Sequence, residues 1–228
     1  MTGDSDQAAR EAAAAAAVEL VEPEMTIGLG SGRAVWKVVE LLGSRGGGVR
    51  AVTASERTAE LARGAGIELL ELDGTLELDL ALDGADELDR ELRLIKGGGG
   101  ALLREKIVIS AARQFVVVAE TRKLVARLGE RFGLPVEVVR FGWRDTRRRM
   151  EPLLPGGKLR VRDDGEPYVT DEGHYILDAP IPADADIDLL ARSLATLPGV
   201  VDHGLFLGLA TRALLGRPDG GVDVLGAD

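Results

Sequence analysis

The sequence predicts an α/β protein: a Rossmann-like, mostly parallel sheet with helices on both faces, joined to a small ferredoxin-like α+β domain. Three observations predict it. Up to about residue 120, short and nearly all-apolar runs (TIGL, LALD, FVVVA) alternate with helix-patterned runs. Strands that are apolar on both faces belong in a parallel sheet covered on both sides. Polar and glycine residues gather where those runs end, at 28–33, 53–58 and 83–87, and ligands sit at the carboxyl ends of parallel strands. Beyond Leu128 the pattern becomes strand–helix–strand–strand–helix–strand, the order of a ferredoxin-like unit.

In chain order, residues 6–21 (DQAAREAAAAAAVELV) read as a helix because alanine is the best helix former, and Pro23 stops it. MTIGLG (25–30) is a buried strand ending in glycine. Residues 31–43 form a helix with Val35, Val38, Val39 and Leu42 on one side and Gly43 as its stop. Residues 49–55 are a strand and 56–66 a helix; IELLEL and LDLALD (78–83) are further strands. Residues 101–113 form a helix and 114–120 a strand. In the second part, 134–143 is a strand and 143–154 a basic amphipathic helix whose arginines face solvent or another subunit. Residues 158–181 hold short strands around the turn signals DDGEP and DEGH. A helix at 185–199 and one strand at 200–208 follow. The tail carries two short strands around a PDGG turn and returns to the first domain. Residues 1–129 and 207–228 are thus expected to form the larger domain and 130–206 the smaller.

Composition narrows the function. The chain has 228 residues, a net charge of −10 and no cysteine. The acidic balance argues against a nucleic-acid partner, whose phosphates demand a basic footprint, yet leaves room for a small phosphorylated substrate held at a local positive site. Without cysteine there is no disulfide, thiolate nucleophile or Cys-based zinc site. His174 and His203 stand far apart in no ligand spacing and read as structural. Acid–base chemistry must then fall to carboxylates and lysines. No apolar run approaches the roughly 18 residues of a membrane span, and MTGDSDQAAR lacks a basic n-region; a cytoplasmic protein with no membrane partner is expected.

Two stretches carry the chemistry. GLGSGRA (28–34) is a glycine-rich strand-to-helix turn, whose free N–H groups and helix dipole favour a phosphate. Gly30, Ser31, Gly32 and Arg33 are its candidate binding residues. Such turns also serve packing alone, and this one is neither a dinucleotide fingerprint, because Arg33 occupies the third glycine position, nor a Walker loop. The second stretch is DGADELDRELRLIKGGGGALLREK, from Asp83 to Lys106. Glycine is costly inside regular elements, so four in a row beside Asp83, Asp86, Lys96 and Glu105 mark a loop that approaches something closely. The plain alternative is a solvated turn, and for Glu105 a solvated helix carboxylate. One helical turn past the glycines, however, Glu105 can face the same pocket.

DGADE followed by LIKGGGGALLREKIV resembles the signature of type A ribose-5-phosphate isomerases. TASERTAELA, TRKL, LPVEVV, VTDEGHYILD and LPGVVDHGLF are similar to further segments of that family in the same order. The resemblance implies interconversion of D-ribose 5-phosphate and D-ribulose 5-phosphate by enediolate proton transfer, with no metal and no organic cofactor. It implies Glu105 as the base, and Asp83 and Lys96 beside it. Asp83, Gly84, Ala85, Asp86, Lys96, Gly97, Gly98, Gly99 and Lys123 would contact the phosphopentose. It also implies a homodimer or homotetramer. The chain departs from the family at Arg33 and Ala34, where the usual loop reads GTGST, at Arg122, where the usual pair is SK, and at Asp202 and His203. Arg10 is a further candidate for the phosphate. A phosphosugar-sensing module of the same fold, and an enzyme acting on another sugar phosphate or an acyl-CoA, are the alternatives. Keeping the whole acid–base set argues against the first.

Overall fold

The computed structural model describes residues 2–226, with side chains from Ser5. The elements are α1 (Thr2–Glu19), β1 (Thr26–Leu29), α2 (Arg33–Arg45), β2 (Arg50–Thr53), α3 (Glu56–Gly64), β3 (Glu68–Leu69), β4 (Leu80–Asp83), β5 (Glu87–Leu88), β6 (Leu94–Ile95), α4 (Leu102–Ser110) and β7 (Phe115–Glu120). There follow a 3-10 turn at Thr121–Lys123, β8 (Leu134–Val138), α5 (Trp143–Met150), β9 (Lys158–Leu159), β10 (Tyr175–Ala179), α6 (Ile187–Ala195), β11 (Val200–His203), β12 (Leu205–Phe206), β13 (Arg212–Gly216) and β14 (Val222–Gly226).

Seven strands form the main sheet in the order β14-β13-β7-β4-β1-β2-β3. All neighbours are parallel except β13 and β14, the hairpin around the PDGG turn. Every residue of β1, β4 and β7 is buried, as expected for central parallel strands covered on both faces. The chain runs from β1 outward to β2 and β3, then returns to lay β4 on the other side of β1. The crevice between β1 and β4 is therefore the topological switch point, the usual ligand position in an open α/β sheet.

The alanine face of α1 lets it lie close to the sheet. Ala9, Ala13, Ala14 and Ala17 are buried. A Cβ on Gly216 of β13 would come within 1.7 Å of the Ala9 carbonyl oxygen, so only glycine fits beneath this helix. Arg45 of α2 donates to the Val18 carbonyl at 2.8 Å, a cation at the negative end of α1.

The smaller antiparallel sheet has the order β11-β8-β10-β9, with α5 and α6 as its connections. This is the expected strand–helix–strand–strand–helix–strand unit, and its own apolar cluster includes Val136, Leu177, Leu190 and Leu194. Four details differ from the sequence reading. Gly43 does not stop α2, which runs on to Arg45 and is capped by Gly46; a Cβ at Gly43 would meet that of Ala65 at 2.6 Å. IELLEL yields only the two-residue β3, because its remaining residues lead into the exposed Asp73–Gly74 turn. The run 200–208 breaks at Gly204 into β11 and β12, where the chain passes from pairing with β8 to pairing with β6; glycine is needed there because a Cβ would meet the Lys96 carbonyl oxygen at 2.2 Å. β12 then joins β6 and β5 in a third, three-stranded sheet that was not anticipated.

Glu87 explains why an acidic residue ends the DGADE motif. It is buried, and its carboxylate accepts from the backbone N–H groups of Gly129 (2.6 Å), Arg131 (2.6 Å) and Phe132 (2.7 Å). It ties the main-sheet side of the chain to the segment entering β8. Hydrogen bonds to a charged group contribute about 1.5–3 kcal/mol each. Glu87→Gln, which keeps the shape but loses the charge and one acceptor, is expected to lower unfolding free energy by about 2–3 kcal/mol, read as a lower urea midpoint. An unchanged midpoint would contradict this role.

Candidate active site

Parallel strands bring their carboxyl ends to one edge, and β1, β4 and β7 each deliver a polar loop there. Gly30 follows β1 and lies against Asp83, the last residue of β4; a Cβ at position 30 would sit 1.8 Å from the Asp83 carboxyl carbon. Asp83 accepts from the backbone N–H of Gly84 (2.7 Å) and of Ser31 (3.2 Å) through Oδ1. Its Oδ2 lies 2.9 Å from Lys96 Nζ. Lys96 follows β6 and donates to the Gly84 carbonyl at 2.7 Å. Its ammonium also stands 3.3 Å from Glu105 Oε2 on α4. Side-chain exposure is 1% for Asp83, 3% for Lys96 and 5% for Glu105.

One buried ammonium thus faces two buried carboxylates. Asp83 Oδ2 and Glu105 Oε2 are buried without an aligned hydrogen-bond donor. The Glu105 carboxyl is pushed up to about 8, first by burial and second by the Asp83 charge, against the pull of Lys96. Burial also raises the Asp83 carboxyl, opposed by Lys96 and the two backbone donors. Burial alone lowers the Lys96 ammonium, but Asp83 and Glu105 outweigh it, so it is held above its ordinary value. Two carboxylates around one cation favour retention of a proton. Asp83, with two N–H donors and the shorter ion pair, is the better anion, so the proton belongs on Glu105.

Above this triad is a cavity of about 350 Å³. Of the residues read from the sequence, Ser31, Gly32, Arg33, Gly84, Ala85, Asp86, Lys96, Gly97, Gly98, Gly99, Glu105, Lys123 and Arg10 line it. Gly30 and Asp83 stand behind its wall and are not on it. Asp86 accepts from the Gly98 N–H at 2.7 Å, which couples the DGADE turn to the glycine loop. Ser31 Oγ lies 3.0 Å from Ser55 Oγ. Ser55 caps α3 by accepting from the Thr58 N–H, and Thr58 Oγ1 donates to the Gly30 carbonyl at 2.9 Å. The segment TASERT therefore braces the first glycine loop.

Arg10, Arg33, Arg122 and Lys123 line the same cavity. Arg10 donates to Glu120 at 2.7 Å, and Arg122 pairs with Asp6 (3.0 Å) and Glu120 (3.7 Å). The Arg33 side chain is exposed and makes no hydrogen bond or ion pair to another described residue. Four cations against one wall carboxylate make this side of the cavity attractive to a dianion. Sequence reasoning did not name Ala34, Trp36, Val118, Glu120 and Arg122 as lining residues. Glu120, which ends β7, and Arg122, in the turn after it, had a signal, since both lie at the same edge; Trp36, on α2, had none.

The departures at Asp202 and His203 lie behind the site. Lys106 donates to Asp202 Oδ1 (2.5 Å) and to the His203 carbonyl (2.7 Å), and stands over the Phe206 ring at 4.8 Å. Burial, reinforced by Lys106, lowers the His203 imidazole to about 4, so it is neutral at ordinary pH. His174 Nδ1 lies 3.0 Å from Glu137 Oε1. Neither histidine lines the cavity. Among the described residues no group of three or more His, Cys, Asp or Glu has the arrangement of a metal site, and no helix is long and apolar enough to cross a membrane.

Comparison with known proteins gives a consistent result. A family profile described as ribose 5-phosphate isomerase A (phosphoriboisomerase A) matches residues 50–220. A protein from Roseiflexus sp. (strain RS-1) named ribose-5-phosphate isomerase A is 50% identical over 224 residues, covering 96% of each chain. The structure of ribose 5-phosphate isomerase A from Methanocaldococcus jannaschii superposes with a TM-score of 0.89 at 35% identity, covering 97% of this chain and 100% of that one. A D-ribose-5-phosphate isomerase solved in complex with phospho-erythronic acid also superposes at 0.89, with 33% identity over 97% of this chain and 99% of that one.

The triad predicts a specific pH dependence of stability. A carboxyl that keeps its proton to about 8 in the folded protein, against 4.5 as the ordinary value, binds more protons folded than unfolded across that interval. Stability from this group is full below about 4.5 and is lost as pH rises toward about 8. Glu105→Gln removes this dependence. Between about pH 5 and 9 the urea midpoint of the wild type should fall relative to that of the variant. Parallel curves would contradict the proton's placement on Glu105.

Proposed function

The chain belongs to the ribose 5-phosphate isomerase A family, and from that membership we propose that it interconverts D-ribose 5-phosphate and D-ribulose 5-phosphate, in the non-oxidative pentose phosphate pathway. The observation that carries the mechanism is the buried Asp83–Lys96–Glu105 triad at a cavity ringed by glycine loops and cations. The cavity's size suits a small phosphorylated sugar.

Glu105 is the proton-transferring base. With its carboxyl raised to about 8 it is basic enough to take a proton from carbon, and a fraction is ionised near neutral pH. A catalytic group works best when its pKa lies near the operating pH. In the open-chain aldose it removes the C2 proton as charge flows to O1. In the resulting enediolate the hydroxyl proton passes from O2 to O1, Glu105 returns its proton to C1, and the carbonyl is left at C2 with Glu105 again ionised. Lys96 faces the developing oxyanion as a fixed cation that needs no reorganisation. Asp83 acts through the charge it shares with Lys96 and by holding the loops after β1 and β4. Asp86 is the carboxylate placed to accept sugar hydroxyls and assist ring opening. The loop Gly30–Arg33 with Arg10 and Lys123 takes the phosphate, with Arg33 supplying charge in place of the usual hydroxyl. Gly84, Ala85, Gly97, Gly98 and Gly99 form the walls along the sugar.

Residues 1–129 and 207–228 form the catalytic unit in this reading. The apolar clusters of the two larger sheets support the division, the second also taking in Ile95, Val125 and Leu128 of the larger unit at the junction, and the small unit, 130–206, holds the glycine loop from behind. We also infer a homodimer or homotetramer acting in the cytoplasm, as the family resemblance implies, with no metal or organic cofactor in the reaction.

The test is conversion of ribose 5-phosphate to ribulose 5-phosphate by purified protein in excess chelator. The wild type should turn over, and Glu105→Gln should lose at least about 10²-fold in kcat. Wild-type kcat/KM should rise with pH to a plateau above about 8, because the base must be ionised in the free enzyme. Equal turnover by wild type and variant would remove Glu105 as base. Binding without turnover would sink the enzymatic reading.

Arg33 makes a separate prediction. If it contributes charge to the phosphate, Arg33→Ala should raise KM several-fold with kcat nearly unchanged. The difference should shrink as salt is added. An unchanged KM at low salt would assign the Arg33 side chain to solvent.

A further inference from the structure

The glycine loop 97–100 is held from behind by the smaller sheet. Arg160 follows β9 and does not line the cavity. Its Nη1 donates to the carbonyls of Gly97 (2.8 Å) and Gly98 (3.1 Å). Its Nε and Nη2 donate to the two carboxylate oxygens of Asp178 on β10, at 2.8 Å and 2.5 Å. The side chain is 14% exposed. Tyr168, whose ring lies 5.9 Å beneath the guanidinium, donates through its hydroxyl to the Gly99 carbonyl at 3.1 Å. Three consecutive carbonyls of a four-glycine loop are thus bound by two side chains of one neighbouring unit.

These bonds fix which way the loop's N–H groups point. In a trans peptide the C=O and N–H are antiparallel. With the Gly97 carbonyl turned to Arg160, the Gly98 N–H turns to Asp86 Oδ2 at 2.7 Å. With the Gly98 carbonyl turned to Arg160, the Gly99 N–H points away from Arg160. It has no acceptor among the described residues, and Gly99 lines the cavity. A cation on the carbonyl side polarises the peptide and strengthens its N–H as a donor.

We infer that Arg160 is a positioning residue for the isomerisation: it orients and polarises the Gly97–Gly98 and Gly98–Gly99 peptides so that the Gly99 N–H donates to the oxyanion of the enediolate. The inference rests on the reading of this cavity as the isomerase site. Asp178 holds the guanidinium at the angle that reaches both carbonyls, and Tyr168 fixes the next peptide. The loop needs such bracing because four glycines have more backbone freedom to lose than any other four residues.

The test compares the wild type with Arg160→Met and Arg160→Lys in the full-length chain, with Tyr168→Phe as a second probe of the loop. The readouts are kcat, KM, and inhibition by phospho-erythronic acid and by inorganic phosphate. Phospho-erythronic acid carries a carboxylate that resembles the charge of an enediolate; inorganic phosphate reports only the phosphate site. Removing a direct oxyanion donor costs about 10²–10³-fold, so an indirect one should cost less. Arg160→Met should lower kcat about 10- to 100-fold with KM changed little. It should weaken phospho-erythronic acid in parallel and leave phosphate inhibition unchanged. Arg160→Lys, which keeps the charge but cannot bridge both carbonyls and Asp178, should fall between, and Tyr168→Phe should lose a smaller factor of the same kind. Arg160→Met with kcat and phospho-erythronic acid inhibition within about twofold of wild type would overturn the inference. So would an equal loss of phosphate inhibition, which marks general disruption. Where Arg160→Met fails to fold, Arg160→Lys decides: wild-type kcat overturns the inference, and a reduced kcat with normal phosphate inhibition supports it. A wild type without turnover would refute the isomerase reading before any variant is compared.

Discussion

A single buried ammonium, shared by two buried carboxylates, is the constraint on which the site depends. Lys96 Nζ lies 2.9 Å from Asp83 and 3.3 Å from Glu105. Removing one partner from a buried ion pair typically costs about 3–5 kcal/mol, because the remaining charge is left unpaired. Yet a second carboxylate around one cation is also unfavourable, and the protein meets this by keeping a proton. The proton resides on Glu105 because the two backbone donors and the nearer lysine make Asp83 the better anion. A carboxyl that exchanges its proton in the neutral to mildly alkaline range follows from that unequal sharing.

The fold maintains the inequality. Asp83 ends a central strand whose residues are all buried. Glycine at position 30 lets the loop after β1 close over it and donate an N–H. Glu105 is carried on α4, one turn past the glycine loop, and Lys96 is placed by the third sheet, whose β12 pairs with β6. That sheet is small, but it joins the seven-stranded sheet's loops to the antiparallel unit through the Lys96–Gly204 and Gly204–Pro135 backbone bonds. Glu87, Lys106 and Arg160 are charged residues spent on this junction. Each holds backbone groups or a neighbouring charge in place, and none lines the cavity.

Much of this was legible in the sequence, for physical reasons. The parallel sheet was readable because buried strands are written as continuous apolar runs, and the site because polar residues interrupt the chain where such strands end. Asp83, Lys96 and Glu105 stood out as charges set among apolar residues. The motif resemblance added the reaction. What escaped was set by tertiary placement. β5, β6 and β12 are two residues long, too short for any periodicity, and β11 and β12 looked like one strand because the change of partner at Gly204, from β8 to β6, is set by distant strands. Arg160 and Asp178 fall in the run of short strands at 158–181, where no local pattern singled them out. Their partners lie 63 and 18 residues from Arg160, a separation that local pattern does not encode. Arg122 was visible as a departure from the usual SK pair, but its ion pairs with Asp6 and Glu120 depend on where α1 docks.

The most direct test of the central claim is the protonation of Glu105 itself, followed by infrared difference spectroscopy between wild type and Glu105→Gln as pH is raised. A protonated-carboxyl C=O band, present only in the wild type, should persist through neutral pH and disappear around 8. If that band is already gone above about pH 5, where ordinary glutamates have ionised, Glu105 is an unperturbed carboxylate and the shared-proton account of this site is wrong.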